Sequence, residues 1–218
     1  GRGTGAVINA LNADDNIELI SMCDVFEDKI KRSLNNLKDE FKGTSKIQVK
    51  NENCFTGFDG YKKTIDNADV VILATPPGFR PQHFEYAVNS SKHVFVEKPV
   101  ATDISGIKRF IESAKIVKKK KLNVVVGLQR RYQPSYINTF KQVKRGMVGK
   151  ITSGIVKWNS RGVWVKEREK NQSELEYQMR NWYYFNWLCG DHIVEQHIHN
   201  LDVANWFLNE YPISAQGM

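Results

Sequence analysis

Short apolar runs alternating with amphipathic segments constrain this chain more than any other feature. Ile17–Cys23, Val70–Ala74, Val94–Val96 and Val124–Val126 are bounded by turn residues and are too short for buried helices, so they read as buried strands. Between the first two, Phe26, Ile30, Leu34, Leu37 and Phe41 recur near the helical period. Gln82 to Asn89 and Ser105 to Lys118 read as two further helices, and Ala6 to Leu11 as an earlier one that exits through the polar run from Asn12 to Asn16. Strands apolar on both sides that alternate with helices predict an α/β fold: a doubly wound, mostly parallel sheet covered on both faces and linked by right-handed crossovers. The predicted extent of this domain is 1–130.

After about Gly149 the pattern changes. Ile151 to Asn159 is long and β-branched, the stretch from Trp164 to Trp187 is rich in aromatic and charged residues, and a helix is expected from about His192 to Leu208. This predicts a second domain over 131–218, of α+β type, opening with a strand and holding an incomplete open sheet.

Composition narrows the function classes. The chain has 218 residues, 41% hydrophobic and 26% charged, ordinary for a soluble globular protein. It has no run approaching the roughly 18 apolar residues of a membrane span, so no span is expected. The formal charge of +8 raises nucleic acid as a partner, but the only dense basic run is Lys118–Lys121. That run ends an amphipathic helix, where cations complement the helix dipole, and no nucleic-acid partner is expected. Three cysteines without CxxC spacing favour a reducing, cytoplasmic compartment. Because Gly1 falls inside what reads as a ligand-binding loop, a strand is expected to precede it, which leaves a signal for export open.

The glycines Gly1, Gly3 and Gly5, with Arg2 and Thr4 between them, open directly into a helix whose N–H groups could cradle a pyrophosphate. Asp24 ends the next strand about 20 residues on, where a carboxylate accepts hydrogen bonds from ribose hydroxyls and repels a 2′-phosphate, so NAD is expected over NADP. Thr75-Pro76-Pro77 and Glu97-Lys98-Pro99 lie at strand ends, where such a sheet presents its ligand crevice. The proline after Lys98 biases that residue away from helical geometry, and a cis bond there would aim its side chain at a fixed point. His83 joins this cofactor-binding set.

On the later helix Glu195 and His199 are four residues apart and Asp202 is three further, so all three are expected on one face. Histidine supplies a base near neutral pKa, and a lysine can be shifted toward that range by burial or a cationic neighbour. The run from His192 to His199 fails the zincin spacings, and no metal is expected. Trp164, Trp182, Tyr183, Tyr184 and Trp187 suit a sugar floor, a core or an oligomer interface equally. Arg180-Asn181-Trp182 is a candidate substrate segment.

In this order, Gly1-Arg2-Gly3, Asp24, Ala74-Thr75-Pro76-Pro77, Val96-Glu97-Lys98-Pro99, Gln129-Arg130-Arg131-Tyr132 and Glu195-x-x-x-His199-x-x-Asp202 resemble the Gfo/Idh/MocA oxidoreductase family. The resemblance implies a Rossmann domain for NAD or NADP and an α/β domain carrying substrate residues, in homo-oligomers that act on sugars, inositols and related polyols. It implies that Lys98 contacts substrate and tunes proton transfer and that His199 is the catalytic histidine, with Arg131 and Tyr132 added to the substrate set. The family often has Asp four residues before that histidine, where this chain has Glu195, whose carboxylate sits more than 1 Å further out. Three other readings stay open: a redox-neutral glycoside-processing enzyme with retained NAD, a non-catalytic NAD or sugar sensor, and a nucleic-acid binder.

Overall fold

The computed structural model describes residues 1–217. The chain forms two compact units, one from Gly1 to Val126 and the other from Gly127 onward, a division slightly ahead of the expected boundary at 131.

The first unit alternates helix and strand: α1 (Arg2–Ala13), β1 (Met22–Asp24), α2 (Glu27–Glu40), β2 (Cys54–Thr56), α3 (Gly60–Asp66), β3 (Val70–Leu73), α4 (Arg80–Asn89), β4 (His93–Val96), α5 (Ile104–Lys120) and β5 (Val124–Val126). All pairing is parallel. β1 pairs β2 with Met22 opposite Cys54 and Asp24 opposite Thr56, while β3, β4 and β5 form a separate sheet in that order. A doubly wound sheet runs 3-2-1-4-5-6, and these two sets of strands match its flanks. Of the apolar run Ile17–Cys23 only the end pairs as a strand, with Leu19 bridging Ile47 alone.

The core lies between β3 and β4 and the helices α3 and α4, where Val71, Leu73, Val94 and Val96 meet Ile65, Phe84, Ala87 and Val88. Phe84 is fully buried and its ring stacks on Phe110 of α5 at 4.0 Å. Burial of such a ring contributes about 2–3 kcal/mol. A smaller core joins Leu11 of α1 to Leu37 and Phe41. In the basic run, Lys120 turns back to donate to the carbonyls of Val88 (3.1 Å) and Asn89 (2.6 Å), satisfying the end of α4.

The second unit holds α6 (Pro134–Lys144), α7 (Glu174–Arg180), α8 (Asn186–Cys189) and α9 (Ile198–Leu208). The strand expected at Ile151–Asn159 does not form, and the open sheet with it: the described residues of this unit contain no strand. A strand is held by the ladder of a neighbour, and this β-branched stretch has none beside it. A side chain holds this stretch instead: the Asn200 amide donates to Lys157 O at 2.5 Å. The helix expected over His192–Leu208 begins as a π-helical turn, Ile193–His197, and continues as α9. No helix among the described residues is long and apolar enough to cross a membrane.

Candidate active site

The first unit gathers its candidate residues at the carboxyl ends of its strands. Gly1 is the N-cap of α1 and offers no side-chain cap, so the first-turn N–H groups stay open to an anion. A Cβ on Gly1 would meet nothing within 4 Å, whereas one on Gly3 would lie 3.4 Å from the Ala74 Cβ. Gly1 therefore faces open space, and Gly3 lets the helix approach the end of β3 closely. Arg2 Nε lies 3.7 Å from Glu97 Oε1, bringing the helix start beside the end of β4. Asp24 Oδ1 accepts the Phe26 N–H at 3.0 Å, which fixes the direction of the carboxylate.

Behind Thr75-Pro76-Pro77, Thr75 Oγ1 and His83 Nδ1 share a hydrogen bond of 3.2 Å. The His83 ring stacks on Tyr61 at 4.0 Å, and burial pushes its pKa from 6.5 down to about 4. His83 is thus a neutral residue that props the Thr75 turn. The Lys98–Pro99 peptide bond is cis. Arg80, almost fully buried, donates from Nη1 to Glu97 O at 3.1 Å and to Pro99 O at 2.6 Å.

In the second unit, Glu195 and His199 are both buried. Glu195 sits in the π turn, whose wider i→i+5 winding changes the angular step from that of an uninterrupted α-helix; such turns recur at functional sites. The Trp158 ring stacks on His199 at 5.7 Å. Arg130 lies over Trp158 at 5.4 Å and over Tyr136 at 5.3 Å, and donates to Tyr136 Oη and Asn200 Oδ1. Stack and amide together hold the histidine between a ring and its own helix.

Other candidates are engaged within this unit. Asp202 takes a two-pronged ion pair from Arg131 (Nε 2.8 Å, Nη2 2.7 Å), so both are committed to joining the Gln129–Tyr132 turn to α9. Tyr132 is exposed. Arg180 pairs with Glu176 at 3.0 Å along α7. Asn181, only 2% exposed, accepts the Lys166 N–H at 2.7 Å and donates to Lys166 O at 3.0 Å and Tyr177 O at 3.2 Å. It acts as a backbone clamp on the segment carrying Trp164, whose ring lies 5.9 Å from Trp182.

Sequence reasoning did not single out Arg80 or Trp158, and named Arg130 only within the Gln129–Tyr132 motif. For Arg80 a signal exists: an arginine between Gly78-Phe79 and Pro81, opening a helix at a strand-end turn. For the stack on His199 none does, because contacts between residues 158 and 199 leave no spacing pattern.

A family model described as "Oxidoreductase family, NAD-binding Rossmann fold" matches residues 3–128. The inositol 2-dehydrogenase of Salmonella typhimurium is 26% identical over 204 residues, covering 91% of this chain and 49% of that protein. The crystal structure of myo-inositol 2-dehydrogenase from Lactobacillus plantarum aligns with a TM-score of 0.65 at 23% identity, covering 96% of this chain and 53% of that one. The scyllo-inositol dehydrogenase of Lactobacillus casei, solved with NAD(H) and scyllo-inositol, aligns with a TM-score of 0.59 at 21% identity over 94% of this chain and 53% of its own. The chain thus spans about half the length of these relatives.

Proposed function

The chain belongs to the Gfo/Idh/MocA oxidoreductases, and from that premise we propose that the protein transfers hydride between NAD and a secondary alcohol carbon of a polyol or sugar, with inositols as the first candidates. The observation that carries this reading is the convergence of the uncapped start of α1, the Thr75 turn and the Glu97-Lys98-Pro99 turn at the ends of β3 and β4. These residues fit a dinucleotide. The open N–H groups at Gly1–Gly3 would hold its pyrophosphate and Asp24 its ribose hydroxyls. When bound, the nicotinamide supplies the hydride acceptor.

The chain's own residues handle the proton. His199 takes it from the substrate hydroxyl, and Lys98 orients that hydroxyl and favours its ionised form. Glu195, buried in the turn before His199, binds a neighbouring hydroxyl. The relatives' names support an inositol-like ring, whose adjacent hydroxyls such a set could grip. Net NADH formation separates this reading from a redox-neutral one.

The test uses the full-length protein with NAD and a panel of inositols, sugars and glycosides, following reduced-nicotinamide absorbance. NADH accumulates with at least one polyol, and NAD binds more tightly than NADP. Asp24→Ala narrows that preference by roughly tenfold, or about 1.4 kcal/mol. Equal affinity of the intact protein for both cofactors, or no NADH with any polyol, contradicts the proposal.

A further inference from the structure

We propose that Arg80 is a positioning residue for Lys98, clamping from beneath the turn that presents the lysine. A single nitrogen, Nη1, donates to the carbonyls of Glu97 (3.1 Å) and Pro99 (2.6 Å). These two carbonyls flank Lys98, so the turn cannot swing without breaking charge-assisted hydrogen bonds. Arg80 is 3% exposed, and at that burial the two bonds are shielded from competing water.

The placement of Arg80 explains why the clamp is rigid. It is the first residue of α4, directly after the turn that follows Pro76. One helical turn on, His83 holds Thr75. A single turn of α4 therefore ties both strand-end turns of the candidate site to one helix. That helix is anchored in the core by Phe84, Ala87 and Val88, all fully buried. The direction of the Lys98 side chain is thus set by a residue 18 positions earlier in the chain.

This inference rests on the proposed role of Lys98, and its test separates the two. In the full-length protein, Arg80→Met lowers kcat by about tenfold or more while NAD affinity stays within about twofold. In a Lys98→Met background the same change costs less than about threefold, because the clamp then has nothing to aim. Without any substrate, acylation of Lys98 followed by peptide mapping changes by at least about threefold in Arg80→Met, with the exposed Lys115 unchanged as the internal control.

Arg80→Lys keeps the charge in the same space and serves where Arg80→Met does not fold. It lowers kcat by about threefold or more, less than the methionine, and shifts Lys98 acylation in the same sense. Parental kcat together with parental Lys98 labelling in either variant overturns the proposal, as does an equal loss in the Lys98→Met background. A parent protein that makes no NADH overturns the functional reading instead, and the labelling still decides the clamp.

Discussion

The two units hold their candidate residues by different means. In the first, Asp24, Thr75 and Lys98 sit on turns that continue parallel strands, and the turns are fastened by the Phe26 N–H on the Asp24 carboxylate, by His83 on the Thr75 hydroxyl and by Arg80 on the Glu97 carbonyl. In the second, described without strands, side chains interlock around His199 and Asp202: a tryptophan ring, an arginine over it, an amide and an ion pair. A strand-end turn inherits its geometry from the sheet, so its residues can be replaced one at a time with local effect. A site of interlocked side chains shares its geometry among all its members.

The largest effect that sharpens this contrast lies in the first unit. Phe84→Ala should cost about 3–5 kcal/mol of stability, because the fully buried ring stacked on Phe110 leaves a cavity that packed strands cannot close. Urea unfolding of the full-length protein measures it, and a loss below about 1 kcal/mol would mean that α4 is not the anchor described.

Next in size is a pH effect at His83. Its unfolded imidazole takes a proton near 6.5, but the folded one only near 4. Stability is therefore complete above about pH 6.5 and falls as pH drops toward 4, by about 3 kcal/mol in all. His83→Gln should flatten that part of the profile relative to the parent. Parallel profiles for the two proteins would show that His83 is not the titrating group.

The smallest effect tests the second unit. Asn181→Ala should cost about 1–3 kcal/mol by stranding Lys166 N–H and O. It should also shift Trp164 fluorescence, since Asn181 clamps the segment that carries that ring. If stability and fluorescence both stay at parental values, the amide is not the clamp.

How much of this was legible in the sequence follows the same division. The strands at Val70, Val94 and Val124 and the helices between them are local patterns, read directly from runs of β-branched residues and from helical spacing. Lys98 was legible because a proline-bound turn follows an apolar strand. β2 escaped because Cys54-Phe55-Thr56 is too short and mixed to stand out. The stretch from Ile151 to Asn159 misled because β-branching measures fit to a pleated surface, whereas pairing depends on a neighbour that composition does not show. Asp202 shares the helix with His199 as its spacing implies, yet it serves Arg131, a partner 71 positions earlier. Arg80 and Trp158 act through long-range contacts of this kind.

Lys98 and His199, presented by such different scaffolds, are proposed to act on one proton. The most direct measurement is turnover and NAD affinity for Lys98→Met, His199→Ala and the double variant of the full-length protein. Each single change should lower turnover by roughly 10²-fold, and the double should lose much less than the product of the two. NAD affinity should stay near the parental value throughout, since neither residue belongs to the pyrophosphate or ribose contacts. Near-parental turnover in His199→Ala, or losses that simply multiply in the double variant, would contradict the claim.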